Sequence, residues 1–141
     1  MSEQGKLYSG GCLCGAVRYE IKGPLRPVVG CHCTQCQKTS GNFVAATRGK
    51  KADMTLSRGE GLTWYQSSGV ARRGFCNRCG GNLFYDRVDD EKISIMAGTL
   101  DQPSGLRLAA HICVGNKADY YEITDDLPRI DQSELADYKF K

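Results

Sequence analysis

Apolar and polar residues alternate in short runs along most of the chain. Val17, Tyr19 and Ile21 alternate with Arg18 and Glu20, which is the period of a strand with one buried face. Leu106, Leu108, Ala110, Ile112 and Val114 alternate over nine residues. The unbroken apolar run Phe43 to Ala46 predicts a strand covered on both faces. Met54 and Leu56, followed by Leu62, Trp64 and Tyr65, predict a hairpin around Gly59, Glu60 and Gly61. Leu83 to Tyr85 and Ile93 to Ile95 predict a second pair, joined by the polar loop Asp86 to Lys92. Tyr120 to Ile123 reads as a last strand. Helix is scarce: one turn from Thr34 to Thr39 after Cys33, and a short one after Asp131, capped by Asp131 or Ser133. Short strands at close spacing predict a mainly β sandwich or open barrel.

The chain has 141 residues, which suits one domain, expected here over 1–141 with a core at about 8–128 and a tail at 129–141. A domain of this length buries enough surface to fold without crosslinks. At 40% hydrophobic residues it is not disordered. No run of about 18 apolar residues exists to span a membrane. The first residues, Met1 to Lys6, show no secretory pattern, so the expected location is cytoplasmic.

That compartment changes how the 8 Cys are read. Cytosolic thiols stay reduced, so grouped cysteines point to metal or redox chemistry before disulfides. They form Cys12-Leu13-Cys14, Cys31-His32-Cys33-Thr34-Gln35-Cys36 and Cys76-Asn77-Arg78-Cys79, with Cys113 alone in a strand. Tetrahedral zinc with sulfur at about 2.3 Å needs sulfurs about 3.8 Å apart. A C-x-x-C turn meets that distance, helped by Gly80 and Gly81 behind it. A C-x-C must bend, and Gly10, Gly11 and Gly15 allow it.

Cys12 and Cys14 joined to Cys76 and Cys79 would close a four-thiolate site, the structural kind. Cys31, Cys33 and Cys36 offer three ligands and leave the fourth position open, as catalytic zinc does. Cys113 either fills that position or is a small buried apolar residue, the simpler reading. A dithiol redox motif remains an alternative for each C-x-x-C, though neither precedes a long helix. Three thiolates blunt zinc as a Lewis acid and suit a soft fourth ligand such as a substrate thiol, which binds deprotonated.

Three blocks carry a family resemblance. Gly10-Gly11-Cys12-Leu13-Cys14-Gly15-Ala16-Val17-Arg18-Tyr19, Cys31 to Gly41, and Arg73-Gly74-Phe75-Cys76-Asn77-Arg78-Cys79-Gly80-Gly81-Asn82-Leu83 resemble the glutathione-dependent formaldehyde-activating enzyme family, which includes centromere protein V. Ala97 to Asp101, His111-Ile112 and Lys117 are similar to its later blocks. The resemblance implies a zinc-stabilised, β-tent-like fold. It implies two zinc ions per chain, a structural one on Cys12, Cys14, Cys76 and Cys79 and a catalytic one on Cys31, Cys33 and Cys36. It implies a carbon–sulfur lyase that joins glutathione, or a similar thiol, to formaldehyde or another small aldehyde. The rival reading is a non-catalytic zinc-built module for protein or nucleic acid.

Charge bears on that choice. Residues 1–85 hold 12 basic and 4 acidic side chains, and residues 86–141 hold 7 and 12. The basic part suits a small anionic thiol, with Arg48 and Arg73 as candidates for its carboxylates. Seven thiolates on two Zn²⁺ would cancel the formal +3 to about zero. With basic residues scattered and no groove-reading helix, this argues against nucleic acid. His32, between two candidate ligands, is read as a packing or surface residue, and His111 as a hydrogen-bonded strand histidine.

Overall fold

The computed structural model describes residues 5–138, which contain 11 strands and one α-helix. The protein is mainly β, as the alternation predicts. It divides into two compact units, one drawn from Met1–Arg26 and Thr47–Gly105, the other from Pro27–Ala46 and Leu106–Lys141.

The first unit holds two antiparallel arrays. In one, β2 (Arg18–Lys22) lies between β1 (Leu7–Gly11) and β5 (Met54–Arg58). Tyr19 and Ile21 point inward and are fully buried, while Glu20 and Lys22 are exposed, as a period of two requires. Gly10 sits opposite Tyr19. A Cβ there would come within 2.4 Å of the Tyr19 hydroxyl, so only glycine lets β1 cross that ring. The other array runs β9 (Lys92–Met96), β8 (Asn82–Arg87), β7 (Ala71–Cys76) and β6 (Leu62–Gln66). Phe84 pairs with Ile95 as expected, and its ring meets Tyr19 edge-on at 5.3 Å between centroids. Each such buried side chain contributes about 1.5–3 kcal/mol.

The hairpin expected around Gly59 to Gly61 does not form. β5 pairs with β2, and β6 pairs with β7. The backbone of Gly61 explains this: its N–H goes to the Ala16 carbonyl, and its own carbonyl accepts from the Asn77 N–H. Both groups are thus bonded to distant segments, and none is left to close a local ladder.

In the second unit, β10 (Leu108–Ile112) lies parallel to both β3 (Val28–Cys31) and β11 (Arg129–Ile130). β3 is antiparallel to the start of β4 (Val44–Lys50), whose last four residues belong to the first unit. Val29, Ala110, Ile112, Cys113 and Ile130 form its small core, with Cys31 and Cys33 packed against it. The short turn after Asp131 is present as a 3-10 helix, Gln132–Asp137, capped by the Asp131 side chain.

Tyr120 to Ile123 is not a strand. The Tyr121 carbonyl accepts from the Lys117 ammonium and the Ile123 carbonyl from Arg129. Side chains have taken the groups a ladder would need.

Candidate metal centres

Two cysteine clusters stand out, one in each unit. In the first unit, the β1–β2 connection supplies Cys12 and Cys14. The end of β7 supplies Cys76, and the turn beyond it supplies Cys79. All four sulfurs lie within 4.8 Å of one another, and Cys14 is 3.7 Å from both Cys12 and Cys76. That spacing is the edge of a tetrahedron with metal–sulfur bonds of about 2.3 Å. Gly80 has φ +78° and donates its N–H to the Cys76 carbonyl at 2.8 Å, which folds Cys79 back toward Cys76. The Val17 N–H points at the Cys12 sulfur at 3.3 Å, and the Arg78 N–H at the Cys76 sulfur at 3.4 Å. Backbone donors from Cys14 and Gly81 hold the Cys79 thiol down to about 6. Such donors favour thiolates.

In the second unit, β3 delivers Cys31 and the helix α1 (Thr34–Ser40) delivers Cys36. Cys33 lies between them and caps the helix: its sulfur accepts from the Cys36 N–H at 3.3 Å. The helix stops at Gly41, with φ +88°. These three sulfurs also lie within 4.8 Å of one another. Hydrogen bonding of the Cys36 S–H to the Cys31 and Cys33 sulfurs, and then burial, pushes the Cys36 thiol up. Three crowded sulfurs resist carrying three negative charges by themselves, which is the environment a cation relieves. Both donor sets therefore fit a thiolate-bound metal ion.

Cys113 is buried on the core beside Cys31 and Cys33. It falls outside the compact group of three. Its backbone is left-handed, with φ 56°.

Arg48 and Arg73 both lie in the first unit. Arg48 is paired with Asp90. Arg73 is 5% exposed, with its guanidinium 4.9 Å from the centre of the Tyr85 ring. Thr39 and Ser40 spend their hydroxyls on carbonyls of their own helix.

Four residues beside the second cluster form a constellation that the sequence did not reveal. His32 is 1% exposed. Its Nε2 is 2.9 Å from His111 Nδ1, and its Nδ1 is 2.9 Å from the Tyr121 hydroxyl. His111 Nε2 is 2.9 Å from Asp125 Oδ2. Burial, then the nearby His111 and Lys117, push His32 down to about 4, so it is a neutral imidazole near pH 7. The His111 hydrogen bond holds Asp125 below the usual carboxylate range. Gln37 ties the helix in, donating from Nε2 to the carbonyls of His32 and Asn116 at 2.9 and 2.6 Å.

The class is a mainly β chain with two cysteine clusters, each of which could hold a metal ion. Comparison with known proteins narrows this. The chain belongs to the family described as glutathione-dependent formaldehyde-activating enzyme, which it matches over residues 7–116. It is 28% identical over 120 residues to a Schizosaccharomyces pombe protein named an uncharacterized lyase, covering 84% of this chain and 86% of that one. It is also 28% identical over 131 residues to a Halomonas elongata protein provisionally named a glutathione-dependent formaldehyde-activating enzyme, covering 83% and 81%. A crystal structure of a Rhodobacter sphaeroides protein superposes with a TM-score of 0.56 at 28% identity, over 69% of this chain and 91% of that one. No helix among the described residues is long and apolar enough to cross a membrane.

Proposed function

We propose that the protein is a zinc-dependent carbon–sulfur lyase that interconverts a thiol plus a small aldehyde with their S-hydroxyalkyl adduct, glutathione and formaldehyde being the first pair to test. The observation that carries this reading is the three-sulfur cluster of Cys31, Cys33 and Cys36, in a chain of the formaldehyde-activating family. In this reading each cluster holds one zinc ion. Cys12, Cys14, Cys76 and Cys79 form a closed site that braces the first unit. Cys31, Cys33 and Cys36 leave one coordination position for the substrate sulfur. Zinc bound there would supply a deprotonated, oriented thiolate.

The chain's own residues do the rest. In the synthetic direction a sulfur–carbon bond forms at the aldehyde carbon, and the proton lost by the thiol ends on the aldehyde oxygen. Cys33 and Cys36 are fixed to one another by the helix cap, so the three sulfurs present a preset face. Holding the sulfur against the aldehyde makes the encounter effectively unimolecular, and positioning of this kind is worth several kcal/mol of barrier.

The test is exchange NMR on glutathione and ¹³C-formaldehyde, with and without zinc-loaded protein. Faster exchange with wild type, lost in Cys36→Ser, supports the proposal. Exchange at the uncatalysed rate refutes it for this pair. Salt-sensitive oligonucleotide binding without such exchange would favour a binding module instead.

A further inference from the structure

His32 lies between two cysteines of the second cluster, yet its side chain is held entirely by protein. Both ring nitrogens have partners at 2.9 Å. Its backbone N–H donates to the Ile112 carbonyl at 3.0 Å, and its carbonyl accepts from Gln37 Nε2 at 2.9 Å. The ring packs against Phe43, with centroids 4.8 Å apart. The four side chains form one continuous hydrogen-bonded chain, Tyr121 to His32 to His111 to Asp125. Every buried nitrogen of the two rings is satisfied only when all four residues are in place.

In an extended segment, neighbouring side chains point to opposite faces. Pinning the His32 ring on one face therefore turns Cys31 and Cys33 together toward the other, where Cys36 meets them. We propose that Tyr121, His111 and Asp125 are positioning residues for a metal ion at Cys31, Cys33 and Cys36, acting through His32 as a fixed pivot. The inference rests on reading that cluster as a metal site. None of the three residues is a ligand of that ion or touches the reacting atoms. Their role is to keep the Cys31 and Cys33 sulfurs at the separation that a tetrahedral ion requires.

The test is chelator competition on the zinc-loaded protein, with Cys36→Ser used to identify which zinc belongs to the second cluster. Tyr121→Phe removes one hydroxyl and keeps the ring. Asp125→Ala removes the terminal acceptor, and Asp125→Asn restores an acceptor oxygen. Losing a direct partner of a metal ligand typically costs about 10- to 100-fold in affinity; these residues act one step further out, through His32, so the low end, about 10-fold, applies. Tyr121→Phe and Asp125→Ala should weaken the second-cluster zinc by that factor and leave the four-cysteine zinc unchanged. Asp125→Asn should recover most of the loss. With cobalt(II) as the probe, Tyr121→Phe should also alter the visible d–d spectrum of the second cluster. Unchanged affinity in both variants overturns the inference, as does equal weakening of both sites, which would mean general destabilisation. If the wild-type protein binds only one zinc, the metal reading of the cluster fails first and takes the inference with it.

Discussion

Replacing Cys76 by serine should destabilise the protein far more than replacing Cys36, for a reason set by chain length. The Cys14 and Cys76 sulfurs lie 3.7 Å apart across 62 residues of sequence. A bound ion that holds those ends together removes freedom from the unfolded chain worth about 4 kcal/mol, by analogy with a crosslink closing the same loop. Cys31 and Cys36 are five residues apart, and the same relation gives about 2 kcal/mol. The direct ion–sulfur bonds are weakened in both variants, so the loop term sets the difference. Cys76 is also fully buried, and a serine hydroxyl there would add the cost of an unpaired polar group. The assay is urea unfolding of the zinc-loaded proteins, followed by Trp64 fluorescence and far-UV circular dichroism. Trp64 lies on β6, which pairs along β7 up to Cys76, so it reports on the first unit. With a urea slope of about 2 kcal/mol per molar, Cys76→Ser should lower the midpoint by about 2 M and Cys36→Ser by about half that. Equal shifts, or a larger one for Cys36→Ser, would refute the division into a bracing site and a working site.

Other perturbations follow from the same contacts. Gly61→Ala would place a Cβ 2.9 Å from both the Cys76 sulfur and the Ala16 Cβ. It should cost about 1–3 kcal/mol in urea unfolding, as overpacking does, and let a chelator strip the first-unit zinc sooner. An unchanged profile would contradict the packing. Tyr19→Phe removes the hydroxyl bonded to Thr99 Oγ1 at 2.8 Å and should cost about 1 kcal/mol by the same measurement. Hydrogen bonds from Arg18 and then Ser9 hold Asp101 down to about 2, from an ordinary 3.8. Its stabilising effect is therefore full above pH 3.8 and lost as the pH falls through about 2. In acid unfolding, the difference between wild type and Asp101→Asn should vanish across that window; a constant difference would contradict the pairing.

The features legible in the sequence were those with local signatures. Cysteine spacing alone grouped Cys12 and Cys14 with Cys76 and Cys79, and the sulfurs do converge. The alternation at Val17 to Ile21 located β2, and the break after Cys33 located the helix. The β5–β6 hairpin failed because Gly61 bonds to Ala16 and Asn77, a long-range choice that turn residues do not reveal. The Asp125–His111–His32–Tyr121 chain joins positions as far as 89 residues apart, so no window contains it. The alternation placed His111 on one face of its strand. The parallel pairing of β10 with both β3 and β11 buries Ala110, His111 and Ile112 alike, so periodicity there carries no sign of the histidine's partners.

Native mass spectrometry of the protein purified with its metal, on wild type and Cys36→Ser side by side, tests whether two unequal metal centres share one chain. The wild-type mass should equal the chain plus two zinc ions, and Cys36→Ser should hold one. A single zinc in wild type, or loss of both from Cys36→Ser, would overturn the two-centre reading.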